Sequence, residues 1–260
     1  MFFTSEKIEQ LNSKYAKINH AYQEILLNYL SLHSQLKDKK AKEYIRLGFL
    51  NRLGVLRRCL LNIWTICPPE NTKKLSDEAL ENLSINLHSF IFNIYGCSDN
   101  LAWIWVKEKD LPIPRTLVGL GSKCKKVRDS FSQDFQDHLI EIDSHFEQLE
   151  NFRHALAHRI PLFVCSQILN KQEAINYQNL QTKMIDAALN QPLEEFKKFI
   201  DTMEDMGKFA PIMTHSFEEN SPQVPFHKVI VNFWETIIDT ANKFFRELKN
   251  LNNNQIFKKL

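Results

Sequence analysis

The stretch Thr4–Leu36, TSEKIEQLNSKYAKINHAYQEILLNYLSLHSQL, sets Ile8, Leu11, Tyr15, Ile18, Tyr22, Ile25, Tyr29, Leu32 and Leu36 at alternating steps of three and four. Apolar residues at that period line one side of an α-helix, and Thr4 or Ser5 supplies its N-cap. The seam is rich in tyrosine rather than purely leucine. That suits packing on a bundle better than an isolated zipper, with a second copy of the chain as the alternative partner.

Working outward, a basic hinge at Lys37–Lys40 leads into a second helix, about 42–66, ended by Cys67-Pro68-Pro69. It is apolar on several sides (Ile45, Leu47, Phe49, Leu53, Leu60, Trp64), as a central helix is. A third helix begins after Ser76, a natural N-cap followed by Asp77 and Glu78, and runs to about Lys107 before Pro112 and Pro114. A short basic segment (Lys123, Lys125, Lys126, Arg128) precedes a fourth helix, about 132–159, stopped by Pro161. Leu162–Ser166 reads as extended. A helical stretch from Gln172 is interrupted near Pro192, resumes to about Phe209, and a last helix spans about 226–251. Six glycines in 260 residues leave few turn signals for a many-stranded protein. The expected fold is all-α, a bundle of long antiparallel helices forming one domain over residues 1–260.

Composition narrows the classes. Apolar and charged fractions of 43% and 25% are ordinary for a globular chain, and a net charge of +2 rules out an indiscriminate electrostatic grip on nucleic acid. Five cysteines with no CxxC pair read as reduced thiols. Glu6 comes too early for a signal peptide, and the longest uncharged run, 82–98, holds three asparagines, three serines and a histidine. These features predict a cytoplasmic chain with no membrane partner. No glycine-rich phosphate loop or activated cysteine is visible, so no cofactor is expected.

The chemically loaded segment closes the fourth helix: Asn151-Phe152-Arg153-His154-Ala155-Leu156-Ala157-His158-Arg159-Ile160-Pro161. Histidine can exchange a proton near physiological pH, and a planar guanidinium can bind phosphoryl oxygens through two hydrogen bonds. Arg153, a polar residue, three small or apolar residues and His158 form a pattern that resembles the Arg-polar-xxx-His motif of HEPN domains. The stretch Asn151–Phe163 is similar to the matching segment of uncharacterised bacterial HEPN-like proteins. The resemblance implies a helical core over about residues 75–165 with flanking helices packed on it. It also implies metal-independent RNA cleavage through the 2′-hydroxyl, in toxin–antitoxin, phage-defence or stress responses. In that scheme His158 is the acid–base group and Arg153 stabilises charge in the transition state. His154, Arg159, Lys125, Lys126 and Arg128 support or bind phosphate. Five residues on a helix turn through about 140°, so Arg153 and His158 do not share a face. The family's usual answer is a homodimer in which two motifs oppose each other. RNA is the implied substrate, and an antitoxin or other regulatory protein is an implied partner that no residue here identifies.

Plainer readings stand beside this one. Cations near a helix C-terminus complement its dipole, and arginine–carboxylate pairs hold bundles together without catalysis. The chain would then be a helical interaction protein, or would bind nucleotide or RNA without turnover. His154 and His158 have the i, i+4 spacing of zinc-binding pairs and Glu150 precedes them by one turn, but a closed site needs three or four ligands and no HExxH order or cysteine pair accompanies them. His138 and His145 read as surface residues. Asp99 and Asn100 interrupt the third helix after Asn86 and Asn93, and a structural pair between Asp99 and Arg57 or Arg58 is expected. Trp103 and Trp105 read as core or interface aromatics.

Overall fold

The computed structural model describes residues 2–257 apart from 166 and 220, with side chains through Leu251. About 72% of it is helical. In chain order the helices are α1 (Ser5–Ala16), α2 (Ile18–His33), α3 (Lys39–Glu43), a π-helical turn (Tyr44–Phe49), α4 (Leu50–Ile66) and α5 (Asp77–Glu108). After a 3₁₀ turn (Arg115–Leu117) come α6 (Lys125–Arg128), α7 (Gln133–Glu141) and α8 (Asp143–His158). The chain then alternates β1 (Phe163–Cys165), α9 (Lys171–Asn190), α10 (Leu193–Glu204), β2 (Ile212–Thr214), β3 (Val224–Pro225) and α11 (Phe226–Phe257).

The all-α class holds, and α5 shows why its ends were legible. Ser76 is extended (φ −67°, ψ 161°) and its hydroxyl accepts from the Ala79 amide, while Asp77 and Glu78 meet the positive end of the dipole. Antiparallel to α5 lies α4, and this hairpin is the centre of the bundle. Along it packs α11, which also contacts α1, α2 and α7. The core is aromatic: Phe49, Phe90, Phe152, Phe226 and Phe244 are fully buried. Each such ring removed from water contributes about 1.5–3 kcal/mol.

Three expectations needed correction here. The amino-terminal seam is two helices, because the chain leaves regular α geometry at Lys17 (φ −86°, ψ −10°), whose N–H reaches back to the carbonyls of Lys14 and Tyr15. A single bent residue keeps the seam on one side. Leu11, Ile18, Ile25, Tyr29 and Leu32 are all buried within the chain, so the seam is no free surface for a second copy. The motif helix is likewise divided at Ile142 into α7 and α8. Leu47 is 53% exposed rather than central, because the π turn inserts one residue and rotates it outward.

The extended stretch after the motif helix is part of a small antiparallel sheet of order β1-β2-β3, with Phe163 opposite Thr214 and Ile212 opposite Pro225. Ser166, the last residue of that stretch, lies outside the described residues. Helices α9 and α10 pack on each other, and α9 opens with a capping box between Asn170 and Glu173. After α10 the chain turns at Gly207 (φ +76°), where a Cβ would meet the Ile168 carbonyl at 2.7 Å. Among the described residues, no helix is long and apolar enough to cross a membrane.

Candidate nucleic-acid site at the end of α8

Pro161 cannot extend a helix, and α8 ends three residues before it at His158, with Arg159 extended (φ −133°, ψ −154°) and its N–H still donating to the Ala155 carbonyl. The last two turns present Glu150, His154 and His158 on one face. The His154 and His158 rings are 6.1 Å apart between centroids, and His158 is exposed. Glu150 Oε1 lies 3.6 Å from Nε2 of His154 and accepts from Nζ of Lys123 at 3.2 Å. Nη2 of Arg159 donates to Oδ1 of Asn151 at 2.8 Å. These side chains line an open cleft of about 500 Å³. Exposed ion pairs such as Lys123–Glu150 add little stability, so their effect is to place charge.

The loop between β2 and β3 reaches the same place. Glu219 Oε2 is 3.7 Å from Nη1 of Arg159 and 3.7 Å from Nδ1 of the buried His215. Burial, and then the charge of Arg159, push His215 below the usual histidine range.

Arg153 is not in this cleft. Its guanidinium carbon lies 5.3 Å from the centroid of the Tyr95 ring on α5. Beside it is Asp99, which burial pushes up to about 6 against the opposing charges of Arg153 and Arg52. Asp99 therefore neighbours Arg153 and Arg52 and not the expected Arg57 or Arg58, and Arg57 donates to Asn19 Oδ1 and lies over Tyr22. The five-residue spacing has the consequence expected of it: within one chain the guanidinium faces the bundle and the imidazole faces solvent.

The basic segment divides in the same way. Lys125 and Lys126 are exposed on α6 but do not line the cleft, whereas Lys123, just before them, does. Arg128 is a correction: it is buried, and Nη1 contacts both oxygens of Asp143 at 3.0 Å, fastening α6 to the first turn of α8. A guanidinium committed to that carboxylate is not available to phosphate. His138 is also corrected. The break at Ile142 turns α7 toward α11, so His138 is buried, with Nε2 3.0 Å from Thr240 Oγ1 and Nδ1 accepting from Lys243 Nζ at 2.8 Å. Burial, and then Lys243, lower its affinity for a proton. His145 is half-buried.

Glu147, Asn151 and, beside the cleft at Arg159, Glu219 are the residues that sequence reading did not assign. Asn151 lay inside the quoted segment, while Glu219, sixty positions beyond Arg159, carried no signal. Among the described residues no group of three or more histidine, cysteine, aspartate or glutamate side chains is placed to hold a metal ion. What the cleft offers is two imidazoles one turn apart among Lys123, Arg159 and the carboxylates of Glu147 and Glu150, an arrangement able to move protons. No family model, no curated protein and no solved structure matches the chain.

Proposed function

We propose that the protein is a homodimeric, metal-independent endoribonuclease of the HEPN type, acting in a toxin–antitoxin, phage-defence or stress response. The observation that carries this reading is the exposed His158 beside His154 at the open end of α8, with Lys123 and Arg159 at the rim. In the reaction His158 takes the proton of the 2′-hydroxyl and O2′ attacks phosphorus. The P–O5′ bond breaks, the leaving oxygen gains a proton, and a 2′,3′-cyclic phosphate remains. Arg159 and Lys123 face the developing charge. Arg153 acts as a positioning residue that holds α8 against α5 in its own chain, and dimerisation brings two such clefts together.

Purified protein is incubated with mixed RNAs in chelator, beside His158→Ala and Arg153→Ala, and product ends are analysed. Cleavage leaving cyclic phosphate, reduced by roughly 10²–10⁴-fold in His158→Ala, is the expected result. Absence of cleavage in all three, or undiminished cleavage in His158→Ala, removes the assignment.

A second reading is favoured by one observation, the contact of Arg153 with Tyr95 beside Asp99. It makes the motif an intrachain clamp in a non-catalytic interaction protein. Growth inhibition on expression that is relieved by His158→Ala speaks for the nuclease. Inhibition indifferent to that change speaks for the interaction protein.

A further inference from the structure

On the other side of the central hairpin, the π-helical turn and α4 form one wall of a groove and α5 the other, enclosing about 710 Å³. Its floor is polar. Arg52 on α4 donates from Nη1 to Asn93 Oδ1 at 3.1 Å and from Nε to Asn100 Oδ1 at 3.2 Å. Arginine can only donate, so the asparagine atoms facing it are carbonyl oxygens. Asn93 spends its amide nitrogen on the Ser89 carbonyl, but Asn100 Nδ2 and Arg52 Nη2 find no acceptor among the described residues. Two hydrogen-bond donors therefore remain for something that accepts.

The backbone is cut to admit these groups. A Cβ on Gly48, in the π turn, would lie 2.9 Å from the Asn100 carboxamide, and one on Gly96 would lie 2.6 Å from the Arg52 guanidinium. Two of only six glycines in the chain are used for this. The π turn itself is a geometry that helices adopt rarely and mostly at functional places.

The rim carries Lys40, Lys107 and Arg115 against a single carboxylate, Glu43, which Lys40 binds at 2.7 Å. Counting Arg52 together with Asp99 beside it, the groove still carries an excess of positive charge. One side is an aromatic ledge of two rings stacked on each other: Tyr44 and Trp103 are parallel to within 8° at 5.6 Å, and Lys107 Nζ sits 5.6 Å from the Trp103 ring centroid. A donor floor, a cationic rim and an aromatic ledge in one concavity select a ligand that is anionic, planar in part and of cofactor size.

We infer that this groove binds a nucleoside phosphate, with the base on the Tyr44–Trp103 ledge and the phosphate between Arg52, Lys107 and Arg115. The site is separate from the α8 cleft and stands whether or not the chain cleaves RNA. A free nucleotide is favoured over a strand because the donors, the cations and the aromatic rings line one concavity of about 710 Å³.

Isothermal titration of the full chain with AMP, ADP, GMP, adenosine, inorganic phosphate and a short oligoribonucleotide tests the assignment. One nucleoside phosphate should bind one site per chain with a Kd below about 100 μM, and adenosine and phosphate roughly tenfold or more weaker. Because Arg52 also ties α4 to α5, the informative variants are at the rim. Arg115→Glu and Lys107→Gln should each weaken binding by roughly tenfold at an unchanged melting temperature, and Trp103→Phe should remove the accompanying fluorescence change. Lys125→Glu, on α6, should bind as the parent does. The inference is overturned if no nucleoside phosphate binds at about 1 mM, or if inorganic phosphate alone binds as well. Tighter binding of the oligoribonucleotide than of any mononucleotide would instead assign the groove to a strand, and indifference to Arg115→Glu and Lys107→Gln would move the ligand elsewhere.

Discussion

The guanidinium of Arg153 lies over the ring of Tyr95, 5.3 Å from its centroid, and so joins α8 to α5 at the one place where the motif turns inward. A half-buried cation–π contact contributes about 1–2 kcal/mol, which corresponds to about 2–6 °C in a chain of this length. Arg153→Ala should lower the melting temperature by that amount, and His158→Ala, exposed at the helix end, should leave it unchanged. Equal melting temperatures for the two variants would show that Arg153 is no clamp.

Asp99 sits between two arginines yet is held up to about 6, because burial outweighs them. Its pKa in the fold lies above the value of about 4 in the unfolded chain, so the fold prefers the protonated form. The stability this provides is complete below about pH 4 and is lost as pH rises through 6. Asp99→Asn, which cannot ionise, should therefore gain on the parent between pH 5 and 8, by roughly 1.4 kcal/mol, the other half of the shift lying below about pH 5. Urea denaturation at the two pH values measures it, and a gain that shrank toward pH 8 would reverse the sign of the argument.

His227 behaves oppositely. Its ring is fully buried, Nε2 meets the Cys67 carbonyl at 2.6 Å, and burial pushes it down to about 4. A depressed histidine contributes stability that is present above about pH 6.5 and is lost as pH falls through 4. The loss amounts to roughly 3 kcal/mol across that window. Asp99 offsets part of it, so the clean comparison is His227→Gln against the parent, both carrying Asp99→Asn. The acid limb of stability between pH 6.5 and 4 should flatten in the His227→Gln chain. An unchanged limb would mean that other groups govern it.

Arg128 and Asp143 form a mostly buried pair, and removing one partner strands the other. Arg128→Met should cost about 3 kcal/mol, and Arg128→Met with Asp143→Leu should recover most of it. RNA cleavage per folded molecule should be unaffected in both. A selective loss of RNA binding in a stable Arg128→Met chain would restore the phosphate-binding role that burial argues against.

How much of this could be read from residues alone differs by element. The ends of α5 were legible because Ser76 caps it and prolines follow it, and those are local chemistry. The breaks at Lys17 and Ile142 were not, because neither glycine nor proline marks them and the three-and-four spacing continues across both. That hidden break also misplaced His138, which an unbroken helix would leave at the surface. The sheet escaped notice because its strands are two or three residues long and β2 lies 47 positions beyond β1. The motif residues were legible by type, and their opposed directions followed from helical arithmetic. The neighbours that define them, Tyr95, Lys123 and Glu219, come from other parts of the chain, and only packing brings them in.

The extra residue in the Tyr44–Phe49 turn makes chain length at that point a count with mechanical meaning. Deleting Arg46, which is exposed and outside the groove, would let ordinary winding resume and close the widened turn while the flanking helices kept their phase. The notch at Gly48 that admits the Asn100 carboxamide would be displaced, while every side chain needed for the groove remained in the sequence. An insertion or deletion there is thus a sharper genetic probe of the groove than any substitution.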